Sequence, residues 1–137
     1  MLNTTFSDTS ALIIGAGRIG TCLARLLRGL GCNVCITARK ERDRGMLKAL
    51  GYQSMDPSCP SNLSGFDIVF NTAPSPVAWC TQESFRADCI RIDLASEKAL
   101  PGENVIHARG LPGSHAPKSS GKLICHTILN NIMEGKL

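Results

Sequence analysis

Six residues, Gly15-Ala16-Gly17-Arg18-Ile19-Gly20, constrain this chain more than any other stretch. They follow a short apolar run at 11–14 (ALII). They open a segment in which Ile19, Cys22, Leu23, Leu26, Leu27 and Leu30 recur at helical spacing and predict one apolar face. The spacing GxGxxG gives each glycine a physical task. The first permits a tight turn, the second lets a pyrophosphate approach the backbone, and the third lets helix and strand pack closely. The helix start also offers unpaired N–H groups and a positive dipole end to phosphate. A second strand is predicted at 33–37 (NVCIT), after Gly31 ends the helix. All six residues are therefore expected to bind a dinucleotide, against the plainer reading of a turn that only packs.

The remaining segments continue the alternation. Residues 41–50 read as a helix closed by Gly51, and 52–64 as a short strand plus loop rich in Ser, Pro and Asn. Strands are predicted at 67–71 (DIVFN), 89–94 (CIRIDL) and 105–108 (VIHA), and a helix near 77–86 after the Pro74-Ser75-Pro76 turn. A last helix over 117–135 opens at Pro117, is interrupted near its start by Gly121, and carries apolar rows Ile124, Ile128, Ile132 and Cys125, Leu129, Met133. Short apolar strands alternating with helices predict a parallel sheet covered on both faces. Right-handed crossovers make it a doubly wound, Rossmann-like α/β fold. One domain is expected over 1–137, with 1–10 as a lead-in. Ligands of such sheets bind beyond the carboxyl ends of the strands. Those loops are 15–20, 38–42, 72–76, 94–97 and 109–115.

The residues after the second strand bear on the choice of cofactor. NAD sites place an acid there, about 20 residues past the turn, to accept the ribose 2′-OH. This chain has Ala38, Arg39 and Lys40, with Arg42 beyond. Without a carboxylate, a 2′-phosphate is not repelled, and the Arg39 guanidinium can fork onto it. NADP(H) is expected over NAD; the alternative is a solvated basic helix start. Asn71, Thr72, Ala73 and Pro74 end the next strand and are expected near the nicotinamide. Asp93, Leu94 and Ala95 are expected at the cofactor too, though Asp93 has an equally good use in capping the following turn. An S-adenosylmethionine site would want an acid where Arg39 stands.

The totals exclude several classes. With 137 residues the chain has about one domain's worth of core. A net charge of +4 is too weak to argue for nucleic acid or a membrane surface. The start, MLNTTFSDTS, has neither the basic run nor the apolar core of a signal peptide, and no apolar stretch is long enough to span a bilayer. Seven cysteines, most of them in apolar runs, read as reduced and cytoplasmic. Cys32 and Cys35 form a CxxC, read as a turn residue and a strand residue. His107, His115 and His126 supply no zinc-ligand pairing, and no metal is expected.

The stretches GAGRIG, TARK, NTAP, DLAS and GLPG followed by APK occur in one order along the chain. Together they resemble the nucleotide-binding domain of the dipicolinate synthase A subunit, from about residue 10 to 133. More distantly the chain is similar to the cofactor domains of 2-hydroxyacid dehydrogenases and adenosylhomocysteinase. The resemblance implies a spore-forming bacterial source and a cytoplasmic oxidoreductase component. It implies NAD(P)-linked oxidation of a dihydrodipicolinate-type intermediate to dipicolinate, a small dicarboxylate. A homo-oligomer and a flavoprotein-like second subunit are expected. Members carry a substantial N-terminal domain, so the substrate domain is expected to be missing from this chain, which alone would turn over little. Ser114-His115 departs from the basic-aliphatic pair of the family pattern. Gly110, Leu111 and Pro112, with Gly113, could offer backbone N–H groups to an anion as a nest. Lys118 could pair with a substrate carboxylate, and His115 could move a proton near neutral pH; both could equally face solvent. The alternative function is a non-catalytic NAD(P)-sensing module.

Overall fold

The computed structural model describes residues 5–135, apart from the side chain of Pro112. Residues 1–4 of the expected lead-in lie outside the described residues. Two compact units make up the chain, Met1–His107 and Ala108–Leu137.

The first unit is a six-stranded sheet. Its strands are β1 (Ser10–Ile14), β2 (Asn33–Thr37), β3 (Gln53–Met55), β4 (Ile68–Asn71), β5 (Ile90–Asp93) and β6 (Val105–His107). Every pairing is parallel, in the order β3-β2-β1-β4-β5-β6. This is the α/β Rossmann-like order, with its reversal point between β1 and β4. Helix α1 (Arg18–Gly29) joins β1 to β2, and α2 (Glu41–Ala49) joins β2 to β3.

Alternation along the strands divides the core into two layers. Ala11, Ile13, Val34 and Ile36 pack with Ala24, Leu27 and Leu47 of α1 and α2. Leu12, Ile14, Cys35 and Val69 pack with Val77, Cys80, Phe85 and Leu100 on the opposite face. The CxxC is split by the same alternation, Cys32 joining the first layer and Cys35 the second.

Three expectations need correction. The buried face of α1 is Gly20, Ala24 and Leu27, whereas Ile19, Leu26 and Leu30 are more than half exposed. Close docking against β1 requires small residues, so Gly20 and Ala24 turn inward and rotate the larger side chains out. The helix near 77–86 is replaced by turns and one 3₁₀ turn at Gln82–Ser84. A helix would need the Cys80 carbonyl to accept from Ser84, but it accepts from Arg91 at 2.9 Å, and the Ser84 N–H donates to Thr81. Gly121 does not interrupt α4 (Pro117–Met133), which runs through it.

Four buried thiols follow from this packing. Burial raises Cys32 above the ordinary thiol value and pushes Cys35 up to about 11, Cys80 to about 12 and Cys89 to about 11. Cys22, Cys59 and Cys125 are exposed. A thiol-reactive disulfide at about pH 8 should therefore label those three in the native protein and the buried four only after unfolding. Mass mapping of fast-reacting sites checks this; fast native labelling of Cys80 would contradict the packing.

In the second unit, α3 (Leu111–His115) precedes α4. Leu123, Ile124, Ile128, Leu129, Ile132 and Met133 of α4 are exposed.

Candidate functional site

A cleft of about 740 Å³ opens in the first unit at the carboxyl ends of β1, β2 and β4. Its size suits a cofactor. Gly15, Ala16, Gly17, Ala38, Arg39, Thr72, Ala73 and Pro74, all predicted site residues, line it. Val77 and Trp79 add an apolar wall, and Asp43 and Asp56 add carboxylates near Arg39.

The glycine turn is shaped by contacts that leave no room for side chains. Gly15 has φ +105°, and a Cβ there would lie 2.8 Å from Thr72 Oγ1. A Cβ on Gly20 would overlap the Gly15 carbonyl. Gly17 differs: a Cβ on it would meet nothing within 4 Å, so it faces open space. It is also the N-cap of α1 and has no side chain to satisfy the first N–H groups of the helix. Open space in front of free donors at a dipole's positive end fits a pyrophosphate.

Neighbouring strands brace this turn. The Gly15 N–H donates to Thr37 Oγ1 at 3.0 Å. Thr72 Oγ1 donates to the Ile14 carbonyl at 2.9 Å and lies 3.3 Å from that of Gly15. Thr72, expected beside the nicotinamide, thus also holds the phosphate turn. Arg44 was missed by sequence reasoning because it lies inside a helix of many charges. Its Nη1 donates to the carbonyls of Ala38 and Arg39 at 2.7 and 2.8 Å and pairs with Asp56 at 3.1 Å. Hydrogen bonds from Ser58, then the Arg44 charge, hold the Asp56 carboxyl below its ordinary value.

Asn71 and Asp93 take up positions beneath the cleft rather than in its lining. Both are fully buried. Asn71 Nδ2 donates to Asp93 Oδ1 at 2.9 Å, and its Oδ1 accepts from the Ala73 N–H at 3.1 Å. Asp93 accepts further from the N–H groups of Ala95, Ala99 and Leu100 at 3.2, 2.8 and 3.1 Å. Burial alone would raise its carboxyl, but these four donors outweigh that and hold it below the ordinary carboxylate value. Asp93 is the turn-capping acid, and its neighbours Leu94 and Ala95 follow it away from the lining. Lys40 is exposed, at the N-cap position of α2.

Arg18, Ile19 and Gly20 form the first turn of α1 and are not among the residues that line the cleft. Gly110, Leu111, His115 and Lys118 belong to the second unit. There Gly110 has φ +63°, residues 111–115 are helical, and the Ser114 N–H donates to the Gly110 carbonyl at 3.1 Å. His115 Nδ1 lies 2.8 Å from Ser114 Oγ. The side chain of Pro112 lies outside the described residues.

Residues 1–87 match the D-isomer specific 2-hydroxyacid dehydrogenase, NAD binding domain. The chain belongs to this family. The dipicolinate synthase A subunit of Bacillus subtilis (strain 168) is 26% identical over 140 residues, covering 95% of this chain and 47% of that protein. The crystal structure of the same subunit from Bacillus halodurans superposes with TM-score 0.82 at 25% identity, covering 94% of this chain and 48% of that one. Glutamyl-tRNA reductase of Photobacterium profundum is 34% identical over 76 residues, 53% of this chain and 18% of that protein. The chain is homologous to the dipicolinate synthase A subunit, and it spans about half the length of those relatives. As a member of this dehydrogenase family it carries an oxidoreductase's nicotinamide-nucleotide-binding fold. No helix among the described residues is long and apolar enough to cross a membrane.

Proposed function

We propose that this chain binds NADP(H) and is the cofactor-binding part of a cytoplasmic oxidoreductase of the dipicolinate synthase type. The observation that carries the choice of cofactor is Ala38 and Arg39 lining the cleft that contains the glycine turn. Arg44 pins the carbonyls of Ala38 and Arg39, one on either side of the Arg39 Cα, so the Arg39 guanidinium projects from a braced loop. Arg39 would grip the 2′-phosphate, Lys40 would add positive field, and the N–H groups at the start of α1 would take the pyrophosphate. Bound NADP supplies a hydride acceptor. Ala73, Pro74, Val77 and Trp79 would hold the nicotinamide against an apolar wall and keep water from it. The substrate is a small dicarboxylate of the dihydrodipicolinate type, and the working enzyme is a homo-oligomer with a flavoprotein-like second subunit. The family resemblance supports this part of the reading.

Fluorescence titration with NADPH and NADH tests the cofactor. NADPH should bind at least about tenfold more tightly, since one charge-assisted contact contributes roughly 1.5–3 kcal/mol. Arg39→Asp should narrow or reverse the gap. Equal affinities before and after the change would reject the role of Arg39. A preference for NADH that is lost in Asp43→Asn would assign the ribose contact to Asp43, an acid of the same lining.

A further inference from the structure

Beneath the cleft, the last residue of β4 grips part of its wall. Asn71 is fully buried, and its amide holds both backbone polar groups of one residue. Nδ2 donates to the Ala73 carbonyl at 3.0 Å, and Oδ1 accepts the Ala73 N–H at 3.1 Å. Nδ2 also donates to Asp93 Oδ1 at 2.9 Å. An ionised carboxylate only accepts, so Asp93 admits Nδ2 on its side and not Oδ1. That fixes the sense of the Asn71 amide and leaves Oδ1 for the Ala73 N–H.

Ala73 lines the cleft and closes over the first glycine of the phosphate turn. A Cβ on Gly15 would lie 3.4 Å from the Ala73 nitrogen and 3.5 Å from its Cβ. The wall continues through Pro74, Ser75, Pro76 and Val77. Pro74 and Pro76 have no N–H to offer. The Val77 N–H is spent on the Ala99 carbonyl at 2.9 Å, and Asn71 takes that of Ala73. The stretch is thereby kept poor in free donors, which suits a surface that an apolar ring face covers. We infer that Asn71 is a positioning residue for the nicotinamide half of the cofactor, a role that rests on the proposed seat of the nicotinamide against Ala73 and Pro74. It acts through Ala73, whose N–H and carbonyl it keeps engaged below the wall. The adenosine half, proposed to be gripped at Arg39, depends on β2 and α2 instead.

The two halves can be titrated separately in the full chain. Adenosine 2′,5′-bisphosphate carries the adenosine and its 2′-phosphate but no nicotinamide. Asn71→Ala should weaken NADPH by at least about tenfold and leave the bisphosphate within about twofold of the parent. The emission of bound NADPH, shifted to shorter wavelength by an apolar wall in the parent, should return toward that of the free cofactor. Asn71→Ser, which can keep one of the three bonds, should fall between the two. Retained bisphosphate affinity also shows that each variant is folded. NADPH affinity and emission unaltered in both variants would overturn the role of Asn71, as would an equal loss of both ligands. A parent that binds the bisphosphate but leaves NADPH emission unshifted would overturn the nicotinamide seat, and one that binds neither ligand would overturn the cofactor itself.

Discussion

Gly20→Ala is expected to abolish dinucleotide binding and to lower stability by roughly 3 kcal/mol, the upper part of the usual range for overpacking. The added Cβ would overlap the Gly15 carbonyl, which is backbone and has no rotamer to escape into. Relief requires α1 to move off β1, taking with it the N–H groups that face the phosphates and the buried contacts of Ala24 and Leu27. A melting temperature lower by roughly 10 °C is the corresponding thermal signature. Gly17→Ala is the companion measurement. Its Cβ meets no protein atom within 4 Å, so stability should fall by no more than about 1 kcal/mol, the usual cost at a helix N-cap. Yet that Cβ would project into the open space proposed for the pyrophosphate and should weaken NADPH. Thermal melts and NADPH titrations on the two variants separate packing from ligand approach. If Gly20→Ala melts and binds like the parent, the close packing of α1 on β1 is wrong.

Asp93→Ala should cost about 4 kcal/mol, because it leaves Asn71 Nδ2 and the N–H groups of Ala95, Ala99 and Leu100 buried without their acceptor. Against a typical total of about 5–15 kcal/mol, that is a large share. The same carboxylate makes a pH prediction with a definite sign. Its folded value is depressed, so the unfolded chain holds the proton more tightly. Its contribution is fully present above the unfolded value of about 3.9 and is lost as pH falls from there through the folded value. Asp93→Asn removes that share, so stability between about pH 4 and pH 2 should fall less steeply than in the parent. Asp56, Asp67 and Asp88, also held below their ordinary values, keep part of the slope in both proteins. Urea unfolding across this range measures it. Parallel curves would mean that Asp93 is not a buried, multiply bonded acid.

The sheet was readable in advance because parallel strands buried on both faces are apolar runs bounded by turns, and β2 has the very limits its pattern predicts. The glycine turn was readable because its spacing answers to backbone geometry that few other residues permit. The apolar pattern of α1 misled, since it ranks residues by hydrophobicity whereas docking on β1 selects by size. Ile19 and Leu26 therefore face outward and Gly20 inward. Residues 77–86 carry apolar side chains at near-helical spacing, but their backbone closes into short local turns and one carbonyl is claimed from a distance. The Cys80 carbonyl is held by Arg91, eleven positions away.

Local chemistry, then, was enough to establish an α/β chain with a phosphate turn and basic residues after its second strand, because each of those features is a short-range pattern of backbone and side-chain type. The work of Asn71, Asp93, Arg44 and Arg91 could be assigned only once the chain had folded. Each is a polar side chain whose meaning is its partner, and three-dimensional packing brings Asn71 to Asp93, Arg44 to Asp56 and Arg91 to Pro101. Burial then turns those encounters from solvated charges into constraints on the loops around the cleft.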